Sequence, residues 1–466
     1  MAKNEQAPNA DKMPWLRFFA WKTRDVSLAA VTVIISGYML LYCSDTLGLN
    51  TITVGFLMMI SKLLDGFTDL FAGYLVDNTH TKWGKARPYE ICIILEWLCM
   101  IALFFADDKW SMFLKYAWVF IMYTLIYSVF NTLLNGCQTP YLVRAFNGNR
   151  SIVTKVASFG GIVTLAGSIV VSMTFPRAYQ AWVLDAAAGT AGWRILILVY
   201  SIPLAALGIL RFIFVKEDPS VDAGQSAQRI SVKEIITMLK TNPYAWSFAG
   251  MIGLFNMASG FGAGSFYFQY VVGDVSAYGM VTALSMVLLP VMIFFPTLIK
   301  KLGMCKLFIL CAAMSVVGYI IVFFGGGSLA IVYAGIVVTN LISLPCSYLQ
   351  APGVLDIATY NEYNGLHRME GTSGVVMNFA MKVLNGLSSG LTGILLGLAG
   401  YISSTGNEVV TQPGSAVFMI RMLYSIIPGL CVLAIIPCAM HFMKLENKMP
   451  EIEAAVKARK ENLPTE

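Results

Sequence analysis

The chain has 466 residues, of which 57% are hydrophobic and only 12% are charged, and its mean hydropathy is +0.69. These values exclude an ordinary water-soluble protein, because about a quarter of the residues in globular chains are charged. The 32 Lys and Arg against 26 Asp and Glu give a formal net charge of +6. In so apolar a chain this excess points to membrane topology rather than to nucleic acid. We therefore expect a lipid bilayer as a partner and no nucleic acid.

The amino-terminal residues 1–24 are rich in charged side chains and contain no apolar core before the first long apolar segment. A secretory signal peptide is not expected, so the amino terminus is predicted to stay in the cytoplasm. The nine cysteines show neither metal-ligand nor disulfide spacing and are interpreted as small buried hydrophobic residues. No cofactor is expected.

Twelve apolar segments follow in chain order, each long enough to cross a bilayer, since about 20 residues span the roughly 30 Å hydrocarbon layer. They cover residues 26–45, 52–76, 89–106, 112–142, 153–175, 193–215, 244–272, 277–299, 306–324, 328–350, 372–400 and 415–443. Lipid cannot satisfy exposed backbone groups, and the segments lack the alternating pattern of a barrel strand. The sequence therefore predicts an all-α membrane protein with twelve transmembrane helices.

The orientation of these spans is predicted from the positive charges of the loops. Most Lys and Arg residues fall in the two tails and in the loops on the same side as the tails, whereas the opposite loops hold Lys109, Lys115, Arg177 and Arg194. Cytoplasmic loops carry the excess of Lys and Arg. We predict a multi-pass protein of the cell (inner) membrane with both termini in the cytoplasm.

The longest polar interruption lies between the sixth and seventh predicted spans. It divides the chain into a tail (1–24), a six-helix bundle (25–215), a central cytoplasmic loop (216–241), a second six-helix bundle (242–443) and a tail (444–466). Two six-helix bundles around a central cavity form the major facilitator fold. A weak internal echo supports a duplication, because Gly84 follows the second span and Gly303 follows the eighth, both beside basic residues.

The second span carries three charged residues that should be costly in lipid. Lys62, Asp65 and Asp69 are spaced i, i+3 and i+7, which places them along one helix face. Two carboxylates one turn apart do not both stay ionised in a dry cavity unless a cation lies between them or one is protonated. Hard cations such as Na⁺ prefer oxygen ligands. We therefore predict a coupling-ion site at Asp65 and Asp69; the alternative is a structural Lys62–Asp65 pair with Asp69 facing water.

Charged residues deep in other predicted spans include Glu96, Arg211, Lys382 and Arg421. Lys382 precedes a run of small residues, Asn385–Gly390, which lets helices approach closely. It is expected to pair with a distant carboxylate or to donate to a polar substrate. Arg211 is expected to snorkel to the cytoplasmic surface, and Glu96 and Arg421 are expected to pair with other helices. The three histidines lie in loops or near a span end, so any proton chemistry falls to carboxylates.

Three stretches of the chain resemble the glycoside, pentoside and hexuronide to cation symporters. The first is KLLDGFTDLFAGYLVDNTHTKWGKARPY, from Lys62 to Tyr89, with two aspartates about a turn apart and a WGK-x-RP loop. The second is LDIATYNEYNGLHRMEGTSGVVMNFAMKVLNGL, from Leu355 to Leu387. The third is the basic and acidic pair 24–25 at the start of the first span. The resemblance implies a major facilitator fold and secondary active transport of a sugar.

The resemblance also implies roles for individual residues. Asp65 and Asp69 would hold the coupling cation, which is a metal site if that cation is Na⁺, and Asn135 falls where the family places a polar cation ligand. The residues implied to bind the sugar are Arg24, Asp25, Gln138 and Lys382, and Asp25 and Lys382 would contact it or link it to the cation site. Those implied in gating or conformational change are Asp77, Arg87 and Arg368.

The chain departs from the family pattern in the fourth span. Gln138 and Leu142 stand where the family's melibiose carrier has an Asp and a Trp, so melibiose is not the expected substrate. A site that lacks this carboxylate would tolerate an anionic sugar such as a glucuronide. We predict symport of a sugar with Na⁺ or H⁺ by a protein that functions as a monomer. The alternative is an uncoupled facilitator or an exporter of another small polar solute. An enzyme is not expected, because the sequence has no nucleotide loop, no zinc motif and no nucleophile beside a base.

Overall fold

The computed structural model describes residues 14–79, 81–146, 150–217, 237, 240–365, 370–405 and 410–461. Within these ranges the chain is helical, and the extended pairings are two isolated bridges, Leu47 with Thr405 and Thr81 with Gly84. An all-helical chain satisfies its backbone hydrogen bonds inside each segment, as a bilayer requires. The predicted all-α class agrees with this structure.

The helices before the central polar segment form the first part of the fold. The α-helices are α1 (Trp15–Asp45), α2 (Thr51–Asn78), α3 (Cys92–Phe104), α4 (Met112–Thr124), α5 (Thr132–Ala145), α6 (Arg150–Tyr179) and α7 (Gly189–Phe214). A 3₁₀ turn covers Arg87–Ile91, and π-helical turns cover Leu125–Asn131 and Gln180–Asp185. The turn at Leu125–Asn131 joins α4 to α5 without a loop, so both belong to one long span.

The second part begins at Pro243. Its α-helices are α8 (Pro243–Gly260), α9 (Gly264–Tyr267), α10 (Met280–Leu284), α11 (Leu289–Leu302), α12 (Met304–Gly325), α13 (Leu329–Thr339), α14 (Ser343–Tyr348), α15 (Gln350–Tyr363), α16 (Glu370–Leu398), α17 (Gly414–Tyr424), α18 (Ile426–Leu433) and α19 (Ile435–Glu461). The short turns are a π-helical turn at Phe268–Val272 and 3₁₀ turns at Val275–Gly279, Ser285–Leu288 and Asn340–Ile342.

Eight stretches of the described residues are long and apolar enough to cross a membrane. They are Trp15–Asp45, Met112–Leu142, Phe159–Asp185, Gly189–Phe214, Met304–Gly325, Leu329–Tyr348, Met377–Leu398 and Gly414–Arg459. Each overlaps one of the predicted spans. The other four predicted spans overlap α2, α3, the pair α8 and α9, and the helices from 275 to 302. Every predicted span therefore coincides with helical structure.

Packing divides the chain into two compact units. The first comprises Met1–Ile35 and Phe67–Ser226, and the second comprises Ser36–Gly66 and Ala227–Glu466. The division falls inside α1 and α2, so the first half of α2 packs with the second unit. The predicted domain boundaries at 25–215 and 242–443 stay predictions.

In the second unit α2 and α16 meet along a row of glycines on α16. The row consists of Gly386, Gly390, Gly393 and Gly397, spaced three or four residues apart on one helix face. A Cβ atom added to Gly390 would lie 2.6 Å from the Cβ of Met59, and one added to Gly386 would lie 2.9 Å from the Cβ of Lys62. The two backbones therefore approach closely, as the run of small residues predicts. This approach sets the charged side chains of the two helices beside each other.

In the first unit a glutamate caps the turn that begins the third span. The Glu217 carboxylate accepts hydrogen bonds from the backbone N–H groups of Ala86 and Arg87, both at 3.0 Å. Gly84, two residues earlier, has a φ of +112°, a conformation that favours glycine. Arg144 Nη1 donates to the Glu217 Oε1 atom at 2.8 Å. The negative charge at the helix start is therefore neutralised by α5.

The second unit repeats this cap at the start of α12. Glu446 accepts hydrogen bonds from the backbone N–H groups of Met304 and Cys305. Gly303, immediately before them, has a φ of +84°. The echo between Gly84 and Gly303 in the sequence thus corresponds to the same capping arrangement in both units, which supports a duplicated fold.

Candidate functional site

A buried cluster of charged and polar side chains lies in the first unit around α1. Arg24 is 1% exposed, and its guanidinium group donates hydrogen bonds to three side chains and to one backbone oxygen. Its Nη2 atom donates to Asp25 Oδ1 at 3.2 Å and to Gln138 Oε1. Its Nη1 atom donates to the backbone oxygen of Leu134 at 2.6 Å and to Glu90 Oε1 at 3.3 Å. The structure thus brings together three of the residues predicted to bind substrate.

Arg211 belongs to the same cluster, so the expectation that it snorkels to the surface is wrong. It is fully buried. Its Nη1 atom donates to Gln138 Oε1 at 2.8 Å and to Asp25 Oδ1 at 3.2 Å, and its Nε atom lies 3.4 Å from Glu90 Oε1. Its guanidinium carbon lies 3.2 Å from the centroid of the Trp21 ring. Two carboxylates and an aromatic face compensate the burial of the guanidinium charge. The side chain therefore does not have to extend to the membrane surface to be solvated.

The cluster holds more positive than negative charge. Lys22 Nζ donates to Asp25 Oδ2 at 2.8 Å. Lys22, Arg24 and Arg211 therefore face the carboxylates of Asp25 and Glu90, which leaves an excess of one positive charge among these residues. Burying a charge is costly unless it is paired. The cluster is suited to a ligand that offers an acidic group or many hydroxyls.

A cavity of about 660 Å³ opens beside the charged cluster in the first unit. Its volume lies in the range of small-molecule sites, about 300–1,000 Å³. The polar side chains that line it are Arg24, Asp25, Thr32, Asn131, Asn135, Gln138, Thr164 and Ser168. Asn135 Nδ2 donates to Asn131 Oδ1 at 2.6 Å within this lining. The amide, hydroxyl and charged groups of this lining can form several hydrogen bonds with a polar ligand.

A second group of charges lies between α2 and α16 in the second unit. Lys382 Nζ lies 3.0 Å from Asp65 Oδ2, with side chains 30% and 15% exposed. Lys62 Nζ donates to Asn385 Oδ1 at 2.6 Å and to Ser389 Oγ at 2.9 Å. Lys382 therefore does meet a carboxylate that is distant in sequence. A cation that binds Asp65 has to replace or join the Lys382 ammonium group.

The remaining predicted site residues are tested only in part. Asp69 and Asp77 lie on α2, but their side chains fall outside the described residues, and Arg368 lies wholly outside them. Arg87 donates from Nε and Nη2 to the backbone oxygen of Phe212, whose ring lies 4.9 Å from the guanidinium carbon. Within the described ranges no group of three or more His, Cys, Asp and Glu side chains could hold a metal ion. The shared cation site and the gating roles stay predictions.

Two intramembrane charges were expected to find partners on other helices. Arg421 Nη2 donates to the backbone oxygen of Phe323 on α12 at 2.5 Å. Glu96 on α3 is fully buried but forms no ion pair with the described residues, and neither carboxyl oxygen has a partner at full hydrogen-bond geometry. Glu90 is a member of the charged cluster that is not predicted from the sequence. Its partner Arg24 is 66 residues away, and nothing local in the sequence marks that contact.

Comparison with known proteins identifies the family. Residues 24–447 match the family model described as MFS/sugar transport protein. The chain belongs to the MFS/sugar transport protein family. It is therefore a multi-pass membrane transporter and not an enzyme, and the predicted resemblance to sugar symporters is confirmed.

Three curated relatives are similar along most of the chain. The isoprimeverose transporter of Lactiplantibacillus pentosus is 24% identical over 458 residues, covering 95% of this chain and 91% of the relative. The glucuronide carrier protein homolog of Escherichia coli (strain K12) is 22% identical over 465 residues, covering 96% and 97%. A lactose permease of Lactobacillus helveticus is 23% identical over 428 residues, covering 86% of this chain and 64% of that protein.

Solved transporter structures share the fold of this family member. A D-xylose-proton symporter superposes with a TM-score of 0.62 at 14% identity, covering 90% of this chain and 97% of that chain. A nucleoside transporter, NupG, superposes with a TM-score of 0.63 at 12% identity, covering 94% and 100%. The predicted major facilitator fold is confirmed by the family and these neighbours.

Proposed function

We propose that this family member is a secondary active transporter that imports a sugar by symport with Na⁺ or H⁺ through alternating access. The observation that carries the proposal is the polar cavity of the first unit, which is lined by Arg24, Asp25 and Gln138. Sugars present hydroxyls in several directions, and the amide, hydroxyl and charged groups of this lining offer donors and acceptors to match.

The charge of the cluster supports an acidic sugar among the substrates. In the charged cluster, of which Arg24 and Asp25 line the cavity, Lys22, Arg24 and Arg211 outnumber the carboxylates of Asp25 and Glu90. The relatives are named for isoprimeverose, glucuronide and lactose, so a neutral disaccharide and a uronide are both within the range of this family. The excess positive charge favours the uronide, because a carboxylate would neutralise it.

The coupling cation is proposed to act at α2. Asp65, Asp69 and Asn135 are the proposed ligands, with Lys382 as a competitor for Asp65 at 3.0 Å. If the cation and the sugar each stabilise the same binding-competent state, each raises the affinity of the other by the same factor. We further propose that the protein works as a monomer in the cell membrane, with both termini in the cytoplasm.

Purified protein in liposomes tests this function. Methyl β-glucuronide, isoprimeverose and lactose serve as probes, with a Na⁺ gradient or a pH gradient imposed across the membrane. At least one sugar is expected to accumulate above its external concentration and to raise the thermal stability of the detergent-solubilised protein, because a ligand that binds the folded state stabilises it. Equilibration without accumulation would instead support the uncoupled facilitator.

A cavity-filling variant tests the site itself. Gly161 lines the cavity, and a Cβ atom added there meets no atom within 4 Å. Gly161→Phe is therefore expected to fold normally but to fill the cavity, which abolishes sugar uptake and the stabilisation by sugar. Gly414→Phe is the matched control, because its position also has open space within 4 Å and does not line the cavity. Normal uptake by Gly161→Phe would show that sugar binds elsewhere.

A further inference from the structure

Lys62 places an ammonium group among neutral oxygen atoms between α2 and α16. Its Nζ atom donates to Asn385 Oδ1 at 2.6 Å and to Ser389 Oγ at 2.9 Å. A charge inside a membrane span is costly unless protein groups replace the water that would solvate it. The two hydrogen bonds to α16 supply part of this solvation and hold the ammonium group at a defined position.

The two oxygen atoms that accept from Lys62 are held in place by other contacts. Asn385 Nδ2 donates to the backbone oxygen of Asn256 on α8 at 3.2 Å, so the Oδ1 end of the amide is the end that points to Lys62. Ser389 Oγ donates to the backbone oxygen of Asn385 at 3.0 Å, which leaves its lone pairs for a cation. A Cβ atom added to Gly260 would lie 2.8 Å from Asn385 Nδ2, so the backbone of α8 packs tightly against this amide. The two oxygens therefore form a preorganised pair of cation ligands.

These oxygens lie along the same helix contact as the carboxylate proposed to bind the coupling cation. Asp65 follows Lys62 by three residues on α2, and its Oδ2 atom lies 3.0 Å from Lys382 Nζ on α16. Asn385 in turn follows Lys382 by three residues, and residues at this spacing share one helix face. Asp65 and the two neutral oxygens therefore belong to one contact between α2 and α16.

A Na⁺ ion and an ammonium group compete for the same ligands. Na⁺ requires several oxygen ligands at once, and within the described ranges no cluster of three or more His, Cys, Asp and Glu side chains could supply them. A Na⁺ ion beside Asp65 would therefore depend on neutral oxygens such as those of Asn385 and Ser389. The Lys62 ammonium group fills the space in front of these oxygens and uses their lone pairs. A proton, in contrast, needs one lone pair of a single oxygen atom.

We propose that Lys62 is a specificity-determining residue whose ammonium group takes the place of a Na⁺ ion beside Asp65 and excludes Na⁺ from the coupling site. The inference rests on the proposed function, and it narrows the coupling cation from Na⁺ or H⁺ to H⁺ at the same position on α2. A proton taken up from water on one side of the membrane is returned to water on the other side, so no further reactant is consumed. Lys62 neither gives nor takes this proton.

Lys62→Ala tests the inference, because it removes the ammonium group, frees the oxygens of Asn385 and Ser389, and keeps the Cβ atom that faces Gly386. Purified protein in liposomes receives methyl β-glucuronide or isoprimeverose and an inward Na⁺ gradient of about tenfold, with equal pH on both sides. The wild type is expected to give an accumulation ratio of about one. The variant is expected to give a ratio of up to about ten at one Na⁺ per sugar. Lys62→Ser, a second small replacement, is expected to behave like Lys62→Ala.

A second measurement uses Na⁺ alone as the probe and needs no transport. Thermal unfolding of the detergent-solubilised protein is compared in NaCl and in choline chloride at equal ionic strength, so that the screening of surface charges is the same. Na⁺ is expected to leave the unfolding temperature of the wild type unchanged and to raise that of Lys62→Ala, because a ligand that binds the folded state stabilises it. Addition of Ser389→Ala to Lys62→Ala removes one oxygen ligand, so half of the stabilisation is expected to require a several-fold higher Na⁺ concentration.

Lys300→Ala is the matched control, because it removes the same charge from an exposed position at the end of α11, and it is expected to respond to Na⁺ like the wild type. A wild type that Na⁺ stabilises, or whose sugar uptake a Na⁺ gradient drives, would overturn the inference and leave the proposed symport standing. A folded Lys62→Ala protein without any response to Na⁺ would overturn it as well. If the wild type accumulates no sugar under a Na⁺ or a pH gradient, the proposed function fails, and the effect of Na⁺ on unfolding still decides the role of Lys62.

Discussion

At the scale of single residues, the charges of this transporter are arranged in contacts that the sequence shows only in part. Asp65 and Lys382 were both conspicuous as charges inside apolar segments, and the structure places them 3.0 Å apart. Arg211 was conspicuous as well, but its proximity to a span end suggested the surface. Its burial depends on Asp25 and Glu90, which lie far away in the sequence. Charge inside a span can therefore be read from sequence, whereas the identity of its partner cannot.

The Asp65–Lys382 pair is tested by a double-mutant cycle. Lys382→Ala removes the ammonium group beside Asp65, so it is expected to destabilise the protein and to reduce coupled uptake. Asp65→Asn in addition removes the charge that needed compensation, so the double variant is expected to be more stable than the two single effects predict. An interaction energy of about 0.5–3 kcal/mol is expected. The measurement is thermal or denaturant unfolding of the four proteins, and strictly additive effects would contradict a direct pairing.

At the scale of helices, the contact between α2 and α16 depends on residues without side chains. The sequence predicts this close approach, because small residues recur every three or four positions after Lys382. The sequence does not identify the partner helix, since a row of glycines indicates a close approach but not which helix makes it. The packing partner became evident from Met59 and Lys62, which face Gly390 and Gly386. The helix boundaries were harder to predict, because turns such as Leu125–Asn131 continue a helix by a different hydrogen-bond pattern.

Gly390→Val tests the helix contact. Its Cβ atom would lie 2.6 Å from the Met59 Cβ and 3.0 Å from the Gly55 backbone oxygen, so the helices must separate. Overpacking of this kind costs about 1–3 kcal/mol. We expect a lower unfolding temperature and weaker uptake, because separation of the helices also moves Lys382 relative to Asp65. Gly414→Val, where a Cβ meets no atom within 4 Å, controls for the change of residue type. Equal stability of the two variants would contradict the contact.

At the scale of the whole molecule, both units contain the same sequence pattern, a Gln and a Pro followed by a charged residue, but the sign of that charge differs between the units. Gln138 and Pro140 precede Arg144 in the first unit, and Gln350 and Pro352 precede Asp356 at the same spacing in the second. Arg144 neutralises the capping glutamate of its unit at 2.8 Å. Asp356 occupies the corresponding position beside an acidic cap. The positions of the spans could be predicted from hydropathy alone. The consequence of having Asp356 in place of an arginine can be derived only from the capping contacts of both units, which the sequence does not show.

This reversal predicts a pH dependence of stability. Asp356 lies beyond the apolar stretch that ends at Tyr348, and burial, followed by the charges of Glu446 and Glu453, raises its pKa to about 7. Between about pH 4 and pH 7 the folded protein keeps a proton on Asp356 that the unfolded chain has lost, so the folded state binds more protons and its stability falls as the pH rises. Above about pH 7 both states are ionised and this contribution is constant.

The expected outcome is a lower unfolding temperature at about pH 7.5 than at about pH 5.5, and a smaller difference for Asp356→Asn, which carries no charge at either pH. Glu451→Gln, an exposed change on α19, is expected to keep the full difference, so a general effect of removing one negative charge is separated from the effect of this position. Unfolding of the three proteins followed by tryptophan fluorescence across this range supplies the measurement. Identical pH profiles for Asp356→Asn and the wild type would contradict this prediction, because they would show that Asp356 is ionised in the folded state beside Glu446 and Glu453.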